Sequence, residues 1–340
     1  MRGDAALLGE IAEALARAER PAIVAGAGVA RDGAWDDLIA LAERNGAPVW
    51  TSPMSGRNAF PEDHPLFAGF LAADRAAIRR SLAGHDLLLV LGAPAFTYHV
   101  EGSGPHVPEG AALFQIVDDP SVAAWAATGT AVIADLRSAI RELIEARAAR
   151  SASRAAAPPA RRPPPRRAAH RPLSPPADRR AAPRTSIIVE EAPSSRVPMQ
   201  RHLPITRPNS FFTCASGGLG HGLPASVGIA LARPDARVIA IIGDGSAMYA
   251  IQALWSAAEL GLAMTFVIVN NRRYEALVRF GRRFGMNRTV GSDLPGIDFC
   301  GLARSQGCAA LRVERAEDLD DALAAAFTAS VPTLVEVIVE

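Results

Sequence analysis

The sequence lacks lysine, has only three cysteines, and contains no long uninterrupted apolar segment. The cysteines, Cys214, Cys300 and Cys308, are odd in number and form no CxxC pair, which argues against a disulfide framework or a thiolate zinc site. No uncharged apolar run reaches the roughly 18 residues of a membrane span. The first residues, MRGDAALLGE, include acidic residues where a signal peptide needs a basic start followed by an apolar stretch. We therefore expect a soluble, cytoplasmic protein with buried free thiols.

Charge is unevenly distributed along the 340 residues, although the formal net charge is only +1. All 36 basic residues are arginine. The segment from Arg147 to Arg184 contains eleven arginines, one aspartate and nine prolines, which gives it a local charge of +10 and leaves −9 for the rest. We therefore predict two acidic globular domains, residues 1–146 and 185–340, joined by a disordered Arg/Pro/Ala-rich linker at 147–184.

Two explanations of this linker stay open. Its composition is what a GC-rich reading frame gives when it is read out of register, so a local frame disturbance is one hypothesis and a genuine linker is the other. Its arginines could bind phosphate backbones, but no aromatic residues are interleaved with them. A solvated linker is favoured, and we expect neither nucleic acid nor a membrane as a partner.

Apolar strand patterns alternate with helical patterns in both predicted domains. Such alternation is typical of a parallel sheet that helices cover on both faces. We predict two doubly wound, mostly parallel, three-layer α/β domains. The predicted strands are 21–25, 48–50, 86–92, 113–117 and 132–134 in the first domain, and 186–190, 238–243, 265–270, 310–313 and 333–339 in the second. The predicted helices are 5–20, 35–45, 75–82, 225–233, 251–260 and 319–329.

The strongest local signal is the motif GDGS, which follows the predicted strand 238–243. Asp244 extends from the carboxyl end of that strand, where open α/β folds bind ligands. Gly245 permits a close approach to a ligand, and Ser246 is predicted to start a helix whose free amides favour an anion. Asn271 follows the next strand, 27 residues after Asp244. A carboxylate, an amide oxygen and a main-chain carbonyl suit Mg²⁺ better than Zn²⁺, so the pattern predicts a metal-bound diphosphate.

GDGS and the asparagine pair at this interval resemble the signature of the thiamine-diphosphate-dependent (ThDP) enzyme family. ASGGLGHGLP at 215–224 resembles that family's glycine-rich stretch, and segments 246–277 and 293–299 resemble the subgroup that decarboxylates aryl 2-oxo acids such as benzoylformate. The resemblance covers the family's middle and C-terminal domains. It implies ThDP and Mg²⁺ as cofactors, with the cofactor as electron sink while a 2-oxo acid gives an aldehyde and CO₂.

The resemblance also implies roles for residues of the second domain. Asp244, Asn271 and the backbone carbonyl of Arg273 would be the Mg²⁺ ligands. Leu219 would hold the cofactor in a bent shape that brings its aminopyrimidine nitrogen against the reactive thiazolium carbon. The residues expected at the diphosphate are Ser194, Gly245, Ser246 and Tyr274.

Two further assignments concern catalysis and the substrate. The segment LGAPAFTYH resembles the family's stretch that carries a catalytic histidine, which implies that role for His99. An imidazole with a pKa of about 6.5 can both donate and accept a proton, as that role requires. Without the resemblance, a lone histidine after a strand is usually a surface residue. Ala276, Leu277 and Phe280, which follow the metal loop, would line an aryl pocket, and the alternative for them is an ordinary buried helix face.

The family normally has a further, N-terminal domain, which the resemblance does not cover. That domain holds the aminopyrimidine ring and carries the glutamate that activates the cofactor across a subunit interface. We therefore expect the chain to be incomplete on its own and to form a homo-oligomer. Either a separate pyrimidine-binding subunit assembles with it, or the chain is a truncated remnant.

The sequence leaves three alternatives to the decarboxylase. One is an acetolactate-synthase-like carboligase of the same family, and another is a non-catalytic ThDP-binding subunit or an inactive remnant. The third is nucleotide binding through Gly26-Ala27-Gly28. That motif lacks a third glycine, so a tight turn between a strand and a helix is favoured there.

Overall fold

The computed structural model describes residues 1–100, 102–153 and 185–339. The chain forms two compact units: Met1–Pro172 with Ile205–Asn209, and Leu173–Pro204 with Ser210–Glu340. Each unit contains a six-stranded sheet whose neighbouring strands all run parallel. The predicted fold class, two doubly wound α/β domains, is confirmed. Within the described ranges, no helix has the length and apolarity needed to cross a lipid bilayer.

The first unit has the strand order β3-β2-β1-β4-β5-β6. Its strands are β1 (Pro21–Ala25), β2 (Val49–Thr51), β3 (Phe67–Phe70), β4 (Leu87–Leu91), β5 (Ala112–Val117) and β6 (Thr130–Ile133). Its helices are α1 (Ala5–Arg17), α2 (Ala27–Arg31), α3 (Trp35–Asn45), α4 (Arg75–Ser81), α5 (Pro120–Ala124) and α6 (Leu136–Ser153).

The two faces of this sheet bury their side chains in separate hydrophobic cores. Along β4, Leu87, Leu89 and Leu91 belong to one cluster of buried residues, whereas Leu88 and Val90 belong to another. Successive side chains of a strand point to opposite faces, so a strand covered on both sides must be apolar throughout. This is why β4 appears in the sequence as a continuous apolar run.

The second unit has the strand order β11-β12-β10-β9-β7-β8. Its strands are β7 (Ile187–Glu191), β8 (Phe211–Thr213), β9 (Val238–Gly243), β10 (Thr265–Asn270), β11 (Ala309–Val313) and β12 (Thr333–Ile338). Its helices are α7 (Arg196–His202), α8 (Gly222–Ala232), α9 (Asp244–Ala247), α10 (Ala253–Glu259), α11 (Glu275–Arg283), α12 (Phe299–Ser305) and α13 (Leu319–Thr328), with a 3-10 turn at Ala316–Asp318.

The predicted strands are all present, and the structure adds two short ones, β3 and β8, each at an edge of its sheet. The predicted helix start at Ser246 is wrong, because α9 begins at Asp244 and lasts a single turn. Helix α6 continues through Ser153, inside the segment predicted as linker. The remainder of that linker, 154–184, lies outside the described residues, and the domain boundaries stay predictions.

A short segment from the C-terminal half of the sequence, Ile205–Asn209, belongs to the first unit. The main-chain N–H of Glu62 donates to the carbonyl of Ile205 at 3.0 Å, and the N–H of Ile205 donates to Oε2 of Glu62 at 2.9 Å. Burial raises the pKa of Glu62 to about 8. This carboxyl is therefore mostly protonated at neutral pH, which lowers the cost of burying it.

The three cysteines are free thiols. Cys300 and Cys308 are buried, and burial raises the pKa of each thiol to about 11. Cys214 is only half-buried, so the expectation of buried thiols holds for two of the three.

The Gly26-Ala27-Gly28 turn packs directly against the turn that ends β4. A Cβ on Gly26 would lie 2.5 Å from the Cβ of Ala93, and a Cβ on Gly28 would lie 2.7 Å from the Cα of Gly92. The N–H of Gly28 also donates to the carbonyl of Gly92 at 3.0 Å. Packing of two backbones accounts for both glycines, which favours the tight turn over nucleotide binding.

Substitution of Gly28 by alanine should destabilise the protein, because the new methyl group would overlap the backbone at Gly92. We expect Gly28→Ala to lower the free energy of unfolding by about 2 kcal/mol, measured by urea unfolding followed by circular dichroism. Gly9→Ala is the matched control, since Gly9 lies within α1 and its Cβ would meet no atom within 4 Å. That change should stabilise by about 0.5–1 kcal/mol. Equal stability of Gly28→Ala and the wild type would contradict the packing argument.

Candidate active site

The strand order of the second unit reverses between β7 and β9. From β7 the chain continues to β8 on one side, and then to β9 and β10 on the other. Ligands of open α/β sheets bind at the carboxyl ends of the strands beside such a reversal. There β7 ends at Glu191, β9 at Gly243 and β10 at Asn270. These three neighbouring strand ends define the candidate site.

Asp244 and Asn271 meet at one main-chain amide of this edge. Asp244 is 3% exposed, and its Oδ1 accepts the N–H of Gly245 at 2.8 Å. The N–H of Arg273 lies 3.1 Å from Oδ2 of Asp244 and 3.2 Å from Oδ1 of Asn271. A carboxylate and an amide oxygen that follow two different strands are thus brought together, as the sequence predicted.

The donor set at this edge fits a magnesium ion. Burial raises the pKa of Asp244, against the opposing effect of the main-chain amides that donate to it. A buried carboxylate in this state is stabilised by a cation, and carboxylate and amide oxygens are ligands that Mg²⁺ prefers. Among the described residues, no three His, Cys, Asp or Glu side chains are grouped so that they could hold a metal. A metal here would therefore need oxygens from amide and carbonyl groups as well.

The loop after β10 has a strained conformation that a second segment supports. Arg272 has a φ of 59°, in the left-handed region that non-glycine residues rarely adopt. The carbonyl of Arg272 accepts the N–H of Leu294 at 2.7 Å, and the N–H of Tyr274 donates to the carbonyl of Ser292 at 2.7 Å. Segment 292–294, which the sequence motif 293–299 overlaps, thus holds the loop of the candidate site.

Asn270 and Glu336 also support this loop, and sequence reasoning missed the role of Glu336. Oδ1 of Asn270 accepts the N–H of Arg272 at 3.0 Å, and its Nδ2 donates to Oε1 of Glu336 at 2.7 Å. Glu336 is fully buried in β12. The available signal was a single carboxylate within the otherwise apolar strand TLVEVI, because a buried charge requires a partner.

Gly245 lies against the ring of Tyr274. A Cβ at position 245 would overlap this ring, at 2.6 Å from its Cδ1. Burial raises the pKa of the Tyr274 hydroxyl, which also interacts with Tyr249. Ser246, which follows in the single turn α9, is 5% exposed. The second glycine of GDGS is thus required by an aromatic contact, in addition to any ligand.

The glycine-rich stretch with Leu219 lies between β8 and α8. Leu219 is half-buried, and it directly precedes three amides that bind the carboxylate of Glu191 at the end of β7. Ser194 follows in the turn after β7, where its carbonyl accepts Nη1 of Arg279 at 3.3 Å. From the sequence, Ser194 was expected at the diphosphate, whereas no role was expected for Glu191. The available signal was the pair of adjacent glutamates that ends the otherwise apolar strand β7, because buried carboxylates need partners.

The expected aryl-pocket residues lie on α11. Leu277 and Phe280 are 57% and 44% exposed, and Ala276 is also exposed. The alternative of an ordinary buried helix face is therefore wrong. Their role in substrate binding stays a prediction.

His99 lies in the first unit, in an exposed loop that follows β4. Its main-chain N–H donates to the carbonyl of Ala73 at 3.0 Å. The preceding Tyr98 places its hydroxyl 2.9 Å from Nδ1 of His106. The structure thus holds the backbone of this loop, and the catalytic role of His99 stays a prediction.

Each half of the chain matches a model for one domain of the same enzyme family. Residues 8–143 match the model described as thiamine pyrophosphate enzyme, central domain, and residues 193–337 match the one described as thiamine pyrophosphate enzyme, C-terminal TPP binding domain.

Individual relatives are similar over nearly the whole chain. Benzoylformate decarboxylase from Pseudomonas aeruginosa is 40% identical over 336 residues, which cover 98% of this chain and 63% of that protein. The acetolactate synthase large subunit of Parasynechococcus marenigrum is 29% identical, covering 94% of this chain and 54% of that protein. The solved structure of the thiamine diphosphate-dependent 4-hydroxybenzoylformate decarboxylase from Rhodococcus jostii RHA1 superposes with a TM-score of 0.88 at 38% identity, covering 98% of this chain and 64% of that one. The chain thus spans just under two thirds of the length of the benzoylformate-type relatives.

Gly245→Ala should destabilise the second unit through its contact with Tyr274. We expect a loss of about 1–3 kcal/mol in the free energy of unfolding, because the added methyl group overlaps the tyrosine ring. In a Tyr274→Ala background the same substitution should cost much less, since the ring is gone. Urea unfolding of the four proteins gives the coupling energy, and an equal cost in both backgrounds would show that the ring is not the reason for the glycine.

Proposed function

Because this chain belongs to the thiamine pyrophosphate enzyme family, of which it carries the central and C-terminal domains, we propose that it binds ThDP and Mg²⁺ at the carboxyl edge of the second sheet. The observation that carries this proposal is the convergence of Asp244 and Asn271 on the amide of Arg273. Strand order supports it as well, since these residues follow the strands beside the reversal.

The residues proposed to bind Mg²⁺ and ThDP lie in the loops at this edge of the second sheet. Mg²⁺ would be held by Asp244, Asn271 and the backbone carbonyl of Arg273. Leu219 would support the rings of the cofactor. The diphosphate would be bound by Ser194, Gly245, Ser246 and Tyr274.

The proposed reaction is the non-oxidative decarboxylation of an aryl 2-oxo acid of the benzoylformate type. Bound ThDP supplies the electron sink for the loss of CO₂. Leu277 and Phe280 offer an exposed apolar surface that suits an aryl group. His99 would donate a proton at the substrate carbon that loses CO₂ and accept one while the aldehyde leaves. Similarity to the decarboxylases from Pseudomonas aeruginosa and Rhodococcus jostii supports this substrate class.

We further propose that turnover requires a pyrimidine-binding domain in addition to the central and C-terminal domains, in an oligomer that contains further copies of this chain. The relatives extend well beyond the region that this chain matches. Without such a domain, the central and C-terminal domains would bind ThDP and remain non-catalytic.

A carboligase of the acetolactate-synthase type is the second candidate. It is favoured by the similarity to the enzyme from Parasynechococcus marenigrum, which extends over 94% of this chain. Product analysis with pyruvate separates it from the leading proposal, because a carboligase would form acetolactate and an aryl decarboxylase would not.

Cofactor binding should depend on Asp244. We expect calorimetry to detect ThDP binding to the wild-type chain in the presence of Mg²⁺. Asp244→Ala should weaken that binding by at least about tenfold, because the one carboxylate of the proposed ligand set is removed. Binding that is unchanged in the variant would refute the metal assignment.

Turnover is measured as CO₂ release from benzoylformate, with and without the part of the Pseudomonas aeruginosa relative that this chain does not match. Turnover only after complementation would support the proposed requirement for a pyrimidine-binding domain. Binding of ThDP without turnover under either condition would favour the non-catalytic protein.

His99→Ala should lower kcat for benzoylformate in the complemented assay by about 100-fold or more, because proton transfer by a positioned side chain contributes at least that much. Affinity for ThDP should not change. His85→Ala, another histidine of the first unit, is the control and should retain turnover. If His99→Ala also retains full turnover, the proposed proton transfer is wrong.

A further inference from the structure

The carboxylate of Glu191 binds three consecutive main-chain amides of the glycine-rich stretch. Glu191 is the last residue of β7 and is 3% exposed. Its Oε1 accepts the N–H of Gly220 at 2.7 Å, and its Oε2 accepts those of His221 and Gly222 at 2.8 and 2.5 Å. Hydrogen bonds to an ionised acceptor are stronger than neutral ones. The stretch is therefore tied firmly to the end of the sheet.

The same contact caps helix α8. That helix begins at Gly222, and its N-cap residue, His221, makes no capping bond with its own side chain. The first amides of a helix need an acceptor and favour negative charge, and here both come from the neighbouring strand. Glycine is required at 222, because a Cβ there would lie 2.9 Å from the Cβ of Glu191 and 2.7 Å from Cδ1 of Ile242.

The stretch before the helix depends on this contact for its position. Gly217 and Gly220 have φ values of 70° and 91°, which favour glycine. A glycine-rich segment has high conformational entropy, so contacts must determine where it lies. Leu219 precedes the first of the bound amides by one residue. The Glu191 carboxylate therefore holds the backbone directly after Leu219.

We propose that Glu191 is a positioning residue for the cofactor: by holding the amides of 220–222, it places Leu219 against the thiazolium and aminopyrimidine rings of ThDP. The inference rests on the proposed function. In this arrangement Glu191 does not bind the diphosphate or the metal, which belong to Asp244 and the residues around it. Loss of the Glu191 carboxylate should therefore weaken binding of the cofactor's rings and leave binding of a diphosphate with Mg²⁺ intact.

Glu190 provides a matched control. It is also buried, at 0% exposure, but its carboxylate has different partners. Oε2 accepts Nε of Arg196 at 2.8 Å and the hydroxyl of Thr213 at 3.0 Å, and Oε1 accepts the N–H of Ala192 at 2.6 Å. Glu190→Gln thus changes an adjacent buried carboxylate without changing the acceptor for the amides of 220–222.

The first measurement compares two ligands by calorimetry on the full chain with Mg²⁺: ThDP and inorganic diphosphate. We expect Glu191→Gln to weaken ThDP binding by about tenfold, while diphosphate binding changes by less than about twofold. Leu219→Ala should show the same selective loss. Glu190→Gln should keep the wild-type ratio of the two affinities. Should Glu191→Gln fail to fold, Glu191→Asp is used, because it retains the charge and withdraws the carboxylate from the amides.

The second measurement needs no ligand. Amide hydrogen exchange at 220–222 should be about tenfold faster or more in Glu191→Gln than in the wild type, and unchanged in Glu190→Gln. Only the first substitution replaces an oxygen that accepts these amides with an NH₂ group, which cannot accept, and removes the negative charge that strengthens the remaining bonds. Unchanged exchange in Glu191→Gln would overturn the proposed anchoring.

The two proposals fail in different ways. If the wild-type chain binds neither ligand, the proposed function is wrong, and the inference about Glu191 falls with it. If the wild type binds both ligands but Glu191→Gln loses both equally, or neither, Glu191 has at most a structural role. The inference is then overturned while the proposed function stands.

Discussion

The common direction of the strands is the constraint on which this molecule depends. Parallel strands covered by helices on both faces all end at the same edge, and a change of winding direction opens space there between neighbouring ends. In the second unit that change falls between β7 and β9. The residues after β7, β9 and β10 are thus brought together by the winding of the chain, although Glu191 and Asn271 are far apart in the sequence.

At this edge, buried carboxylates have two different kinds of partner. Glu191 accepts hydrogen bonds from main-chain amides, and Glu336 accepts one from the amide group of Asn270 and lies 3.7 Å from the guanidinium of Arg312. Asp244 is also buried, but burial outweighs its amide bonds and raises its pKa. The first two therefore hold loops in place, and Asp244 is the one whose charge a metal ion would best compensate.

Glycines serve packing in both units, with different results. Gly28 allows two backbones of the first unit to touch, and that contact closes the turn after β1. Gly245 and Gly220 instead accommodate the side chains of Tyr274 and Tyr249. The packing partner is thus backbone at Gly28 but a tyrosine side chain at Gly245 and Gly220, which lie in the part of the chain that matches the TPP-binding domain.

The sequence by itself determined the fold class, most strands and the convergence of Asp244 with Asn271, because burial of both sheet faces produces continuous apolar runs and the polar residues after them must lie at one edge. Short edge strands such as β8 escaped detection, since a segment of that length has no periodicity to read. Only the tertiary structure decided that Ile205–Asn209 belongs to the first unit and that Leu277 and Phe280 are exposed. It also assigned the partners of Glu191 and Glu336, because hydrogen bonds between residues distant in sequence depend on the order of strands, which composition and spacing do not encode.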